Sequence, residues 1–285
     1  MVYTAVRGHT ARAGRGSGKG SRITGVAGMK SIDFGRAADD YARHRVGYPS
    51  ELFERLQRLE IGVHQQKVLD LGTGTGTLGR GFARRGCEVT GLEISPELLE
   101  QAKRLDLEAK VSMLYVLAEA EHTGLGSGGF DVVCAGQSWH WFKRPKAARE
   151  ARRLLAPGGA LVLAHFDWLA LPDTVVEATE ELILRYNRRW ELAGSPGIYP
   201  DWLTDARVAG FVGLESFSLD VEVPFTHEGW RGAVRASAGV GASMSRGNVA
   251  RFDEKLRTLL ADSFANELLH VPYRLWAVVG RSPAA

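Results

Sequence analysis

Two spacings of apolar residues alternate along the chain. From Pro49 to Leu59, Leu52, Phe53, Leu56 and Leu59 recur on one helical face. Lys67 to Leu71 is then a short apolar run carrying one acid, Asp70, and it breaks into glycines at every second position, Gly72, Gly74 and Gly76. Leu78, Phe82 and Ala83 resume the helical spacing, which predicts strand, tight turn and a helix closing near Gly86. The unit then repeats. Cys87 to Leu92, Val111 to Leu117, Asp131 to Ala135 and Ala160 to Phe166 read as further strands, and Pro96 to Leu105 and Pro145 to Leu155 as helices between them. Strands alternating with helices imply a doubly wound, mostly parallel sheet with right-handed crossovers.

The later chain is less regular. Val175 to Trp190 has one apolar stripe of an amphipathic helix, and Ala193 to Pro200 is a loop by its Gly and Pro content. Leu214 to Val223 alternates as a strand and Tyr273 to Gly280 reads as the last one. Nearly fifty residues, Phe225 to Pro272, separate the two, far more than a hairpin needs. An insertion of that size is expected to be functional or a lid.

The glycine turn is the first chemical signal. Without a Cβ it lets a ligand approach the backbone, while the first amides of the following helix point at whatever sits there. Gly74, Gly76 and Gly79 satisfy G-x-G-x-x-G, and Glu93 follows at the end of the second strand, so a dinucleotide site is one reading. Asp70 argues against it, because a pyrophosphate would be repelled there. S-adenosylmethionine (SAM) has no phosphate and offers a sulfonium cation, an ammonium, a carboxylate and a ribose diol. Glu93 is placed to accept both ribose hydroxyls as a bidentate pair, and Ile94 to cover one adenine face. The expected crevice collects Asp70, Gly72, Glu93, Glu121 and Gln137 along one sheet edge.

These residues carry a resemblance. The run Val68 to Gly76, with Glu93 after it, is similar to the class I SAM-dependent methyltransferases. Ala120-Glu121-His122-Thr123-Gly124-Leu125 resembles the family's segment after the third strand, which meets the adenine. Phe130 to Phe142 resembles its fourth strand and loop, and Leu154 to Leu161 its next helix, turn and strand. Gln137-Ser138-Trp139-His140-Trp141-Phe142, with Asp40 to Pro49, is similar to the trans-aconitate-methyltransferase-like subgroup of methyltransferase type 11. The landmarks span roughly residues 36 to 165. The resemblance implies a Rossmann-like, seven-stranded sheet with an antiparallel final strand and helical insertions. It implies SAM as cofactor, S-adenosylhomocysteine as product, and Tyr41, Arg45, Asp70, Gly72, Thr73, Gly74, Gly76, Glu93, Ile94, Ala120, Glu121 and Gln137 as the binding residues. By the same likeness residues 29–285 form one domain, in which 33–60 supply lid helices, 67–165 the SAM-binding core, and 166–285 the acceptor side.

All seven tryptophans lie after the fourth strand, on the half expected to recognise the acceptor. Trp139, Trp141 and His165 are candidate acceptor contacts, and His140 is the candidate general base. A hydroxyl or ammonium acceptor needs a base, whereas a carboxylate acceptor needs a clamping Arg that no motif singles out.

Charge and composition narrow the rest. The net charge is +3, yet Arg7, Arg12, Arg15, Lys19 and Arg22 fall in residues 1–28 with no acid, so the remainder is slightly acidic and offers no nucleic-acid groove. Residues 1–28 are Gly-, Arg-, Ser- and Thr-rich and are expected to be a disordered tail. Cys87 and Cys134 fall in strand-like runs as lone buried thiols, which fits a reducing cytoplasm. No apolar run approaches the ~18 residues of a membrane span. The eight histidines make no H-x-x-x-H pair, so no metal site is expected. The expected function is methyl transfer to an O or N atom of a small molecule, with an NAD(P)-dependent oxidoreductase or a non-catalytic SAM-binding module as alternatives.

Overall fold

The computed structural model describes residues 46–284. The expected basic tail, Tyr41 and Arg45 lie outside them.

Seven strands form one sheet in the order β3-β2-β1-β4-β5-β7-β6. They are β1 Lys67–Leu71, β2 Glu88–Glu93, β3 Leu114–Leu117, β4 Phe130–Gly136, β5 Leu155–Trp168, β6 Val212–Thr226 and β7 Leu268–Arg281. β1 pairs in parallel with both β2 and β4, β2 with β3, and β4 with β5. β7 runs antiparallel between β5 and β6. The order reverses between β2-β1 and β4-β5, so the crevice expected for a doubly wound sheet opens at the carboxyl ends of β1 and β4.

Alternating side chains explain why the inner strands read as unbroken apolar runs. Val68, Val132, Cys134, Ala160 and Val162 face one buried layer, whereas Leu69, Leu71, Val133, Ala135, Leu161 and Leu163 face another. The first layer is covered by α1 (Ser50–Arg58) and α2 (Thr77–Ala83), through Leu52, Phe53, Leu56, Leu78 and Phe82. The second is covered by α4 (Arg144–Leu154) and α6 (Asp201–Val208), through Ala147, Ala148, Ala151, Trp202 and Ala206. Between these lies α3 (Pro96–Ala109), started by Pro96 and by Ser95, whose hydroxyl accepts from the Leu98 amide.

Several boundaries differ from expectation. α3 runs four residues past Leu105 and stops where Lys110 turns left-handed at φ 55°. β3 begins at Leu114, because the segment before it serves as the return from α3. α5 covers Val175–Tyr186 and ends before Trp190, where the Asn187 side-chain Nδ2 donates to Gly239 O and Ser243 Oγ. α6 was not expected. Its eight residues follow directly on Tyr199-Pro200, and of its apolar side chains Trp202 and Ala206 are the buried ones.

The long connection between β6 and β7 folds as α7 (His227–Arg235) and α8 (Arg246–Ser263). Thr226 and Ser245 cap them, accepting from the amides of Gly229 and Asn248. Arg231 and Arg235 both pair with Asp253, joining the two helices. No helix among the described residues is long and apolar enough to cross a membrane.

Phe82 is fully buried and meets Phe53 edge-to-face at 5.3 Å, fastening α2 to α1. Phe82→Ala is expected to lower stability by about 3 to 5 kcal/mol in urea denaturation, and a loss below about 1 kcal/mol would contradict this packing.

Candidate active site

The turn after β1 is held from below by one carboxylate. Asp70 is fully buried, and its Oδ2 accepts from Thr73 Oγ1 at 2.7 Å and from the Gly79 amide at 3.0 Å. Its Oδ1 faces Cys134 Sγ at 3.6 Å. Burial, opposed by these bonds, raises its pKa to about 6, and the charge of Glu93 adds to the rise. Asp70 lines the cavity and is also the peg on which the loop hangs.

A second carboxylate holds the loop from the side. Glu93 Oε2 accepts from the Gly74 amide at 3.0 Å, and Oε1 from Ile94 and Ser95 at 2.9 and 3.1 Å. Burial raises its pKa while the three amides oppose the rise. With about four lone-pair positions on a carboxylate, one acceptor position remains, on Oε2. The expectation that both oxygens face a diol is corrected accordingly.

Behind the loop stands a third support that no motif announced. Arg80 pairs with Asp106 at 2.9 Å and donates to Thr75 O, and Tyr115 donates to Asp106 at 2.6 Å. These residues lie on three different elements, and only the fold unites them. Gly76 belongs to this side. It caps α2 at φ 83°, where a Cβ would lie 2.9 Å from Arg80 Nη2, and it does not line the cavity. Gly74, also at positive φ, has open space where a Cβ would stand.

Above the loop is a cavity of about 500 Å³. It brings together Asp70, Gly72, Thr73, Gly74, Glu93, Ile94, Ala120, Glu121, Gln137, His140, Trp141 and His165. Gln137 takes a left-handed conformation at φ 54°, and its side-chain Nε2 donates to Phe166 O. Glu121 accepts from the Lys143 amide at 2.6 Å and so fixes the end of the loop after β4.

Trp139 is elsewhere. It is fully buried in the second layer, donates to Asp205 at 3.1 Å, and meets Phe142 edge-on. Its expected acceptor contact is replaced by packing. The buried Ser138 next to it donates to Leu71 O at 2.8 Å, tying the β4 loop to the β1 loop.

The two candidate histidines meet. The rings of His140 and His165 are 5.9 Å apart, and both lie beside Tyr199. His165 Nε2 is 3.1 Å from the Tyr199 hydroxyl and 3.7 Å from Asp167 Oδ2. Tyr199 sits in a segment that reads only as loop in the sequence. Among the described residues no group of three or more His, Cys, Asp or Glu could hold a metal ion.

Comparison with known proteins agrees with this geometry. Residues 69–163 match the family model of a methyltransferase domain. Over 133 residues the chain is 36% identical to an uncharacterized methyltransferase of Mycobacterium tuberculosis, covering 47% of this chain and 51% of that protein. It is 29% identical over 174 residues to a ubiquinone biosynthesis O-methyltransferase of Xanthomonas oryzae pv. oryzae, covering 60% of this chain and 71% of the relative. Among solved structures, a type II methyltransferase candidate from Anaeromyxobacter dehalogenans superposes with a TM-score of 0.57 at 22% identity, over 85% of this chain and 99% of that one. The chain spans about half the length of the first curated relatives it matches. The fold is that of Rossmann-like methyltransferases, and residues 69–163 carry the likeness to a methyltransferase domain.

Asp70 gives a test of the loop support. Its proton is held more tightly in the folded chain than at the ordinary 3.8, so its contribution to stability is greatest below about pH 4 and falls as pH rises toward 6. Asp70→Asn removes that titration. Between pH 4 and 7 the wild type is expected to lose about 3 kcal/mol relative to the variant, at about 1.4 kcal/mol per tenfold change in proton affinity. Parallel stability profiles in urea would contradict it.

Proposed function

We propose that this chain is a methyltransferase that moves the methyl group of SAM to an O or N atom of a small organic molecule. The observation that carries the reading is the pair of buried carboxylates, Asp70 and Glu93, holding a glycine turn at the switch point beneath a cavity of about 500 Å³. A diphosphate would meet two acids there, and among the described residues that line the cavity Lys143 is the one Lys or Arg. A sulfonium donor suits the same acids.

The residues fit that cofactor. Gly74 leaves its backbone open, Glu93 keeps one acceptor position toward a ribose hydroxyl, and Ile94 and Ala120 offer an apolar edge for adenine. Thr73, Gly72, Glu121 and Gln137 complete the binding set, and Tyr41 and Arg45 remain proposed contacts at the methionine end. The bound cofactor supplies a methyl group on positively charged sulfur. The protein's part is then to hold the acceptor in line, exclude water and take a proton.

His140 and His165 are the groups on the cavity wall suited to that proton transfer, with Tyr199 and Asp167 orienting His165. Trp141 is a proposed acceptor contact. A carboxylate acceptor, which the trans-aconitate likeness implies, is less well served: no Arg lines the cavity among the described residues. The small-molecule acceptor and the cytoplasm, consistent with the free thiols of Cys87 and Cys134, complete the proposal.

Incubating the chain with methyl-labelled SAM and a metabolite extract, followed by mass spectrometry, is expected to yield a labelled small molecule. Glu93→Gln should weaken SAM binding by about 2 to 3 kcal/mol in isothermal titration, the scale of a charge-assisted hydrogen bond, and unchanged affinity would remove Glu93 from the site. His165→Asn and His140→Ala separate the two histidines. The one that acts as base should lose at least about tenfold in kcat with SAM affinity intact and lose the acid limb of the pH-rate profile, and identical profiles in both variants would leave neither as base.

A further inference from the structure

The acceptor end of the cavity contains a carboxylate for which methyl transfer has no evident use. Glu180 lies in the middle of α5, on the face that also buries Val176, Thr179 and Ile183, and it is only 6% exposed. Its Oε1 accepts from the indole Nε1 of Trp168 at 2.8 Å and its Oε2 from the Gly194 amide at 2.7 Å. Both donors are neutral. Among the described residues no Lys, Arg or His forms an ion pair with it, whereas Asp220 and Asp253, elsewhere in the later half of the chain, are matched by Arg274 and by Arg231 with Arg235.

A buried carboxylate without a counter-charge is costly, and an apolar residue is what a core-facing helix position ordinarily takes. Burial raises the pKa of Glu180, against the two hydrogen bonds. Those bonds use two of the carboxylate's acceptor positions and leave about two more. Glu180 lines the cavity together with Trp168, Trp190 and Tyr273, aromatic side chains of the kind that attract a cation.

We propose that this end of the cavity is a subsite for the ammonium group of an amine-bearing small molecule, anchored by Glu180 between aromatic walls. Calling that molecule the acceptor rests on the methyltransferase reading; the subsite itself does not. A protonated nitrogen has no lone pair with which to attack, so the atom that receives the methyl group is a different N or O of the same molecule. Glu180 is thus a specificity-determining residue, and the acceptor carries a positive charge away from its reacting atom.

Three probes with one ring body and different charge test this: tyramine, neutral 4-ethylphenol and anionic 4-hydroxyphenylacetate, titrated calorimetrically into the full chain saturated with S-adenosylhomocysteine. Tyramine is expected to bind at least about tenfold more tightly than 4-ethylphenol, as expected for a charge-assisted contact, and 4-hydroxyphenylacetate more weakly than both. In Glu180→Gln the advantage of tyramine should vanish while 4-ethylphenol binds as before. Tyramine binding no better than 4-ethylphenol, failing to bind at all, or keeping its advantage in the variant overturns the proposal. Should the variant not fold, the wild-type series decides alone. If S-adenosylhomocysteine does not bind but the Glu180-dependent preference persists, the methyltransferase reading fails and the cation subsite stands.

Discussion

Everything at the site depends on backbone amides being held by buried acids. The turn after β1 is glycine at every second position, Gly72, Gly74 and Gly76, and a chain that loose would sample many conformations. Two carboxylates remove that freedom by accepting, between them, from the amides of Gly74, Gly79, Ile94 and Ser95 and from the Thr73 hydroxyl. The Thr73 amide adds a bond to Leu92 O. The ionic network of Arg80, Asp106 and Tyr115 closes the arrangement from behind. Each acid is deprived of water to do this, which is why burial pushes both carboxyls above their ordinary range.

That constraint also selects the ligand. Two acids under a bare backbone create a negative floor, and the walls above it become aromatic toward β5 and the loops after α5. The cavity therefore has a polar end at β1 and β2 and an aromatic end at β5, α5 and α7, with His140, His165 and Tyr199 between elements of both. α7, inserted between β6 and β7, and the loop after it build part of that aromatic end, since Ala233, Ala236 and Ser237 line it.

The inner strands were legible because they are buried on both faces and read as apolar runs, and the edge strand β6 because its residues alternate. The helices α1, α2 and α4 were equally plain from their stripes. What a one-dimensional pattern does not show is a partner distant in sequence. Asp106 appears as one acid on an ordinary amphipathic helix until the fold sets it against Arg80 and Tyr115. Trp139 and Trp141 look alike on one loop, yet the short helical turn Trp139–Trp141 sends the first into the core and leaves the second on the cavity. Tyr199 and Glu180 were hidden for a related reason: one sits in a loop and the other in a helix, and each acquires its meaning from β5. Glu93 was placed correctly at the end of β2, but its commitments to three amides belong to the folded turn.

The central claim is that this acid-held turn accepts a positively charged donor and refuses a dinucleotide. Thermal unfolding of the chain with saturating S-adenosylmethionine, S-adenosylhomocysteine or NADH tests it directly. The account predicts a rise in Tm with both sulfur compounds and none with NADH; a rise with NADH alone would contradict it.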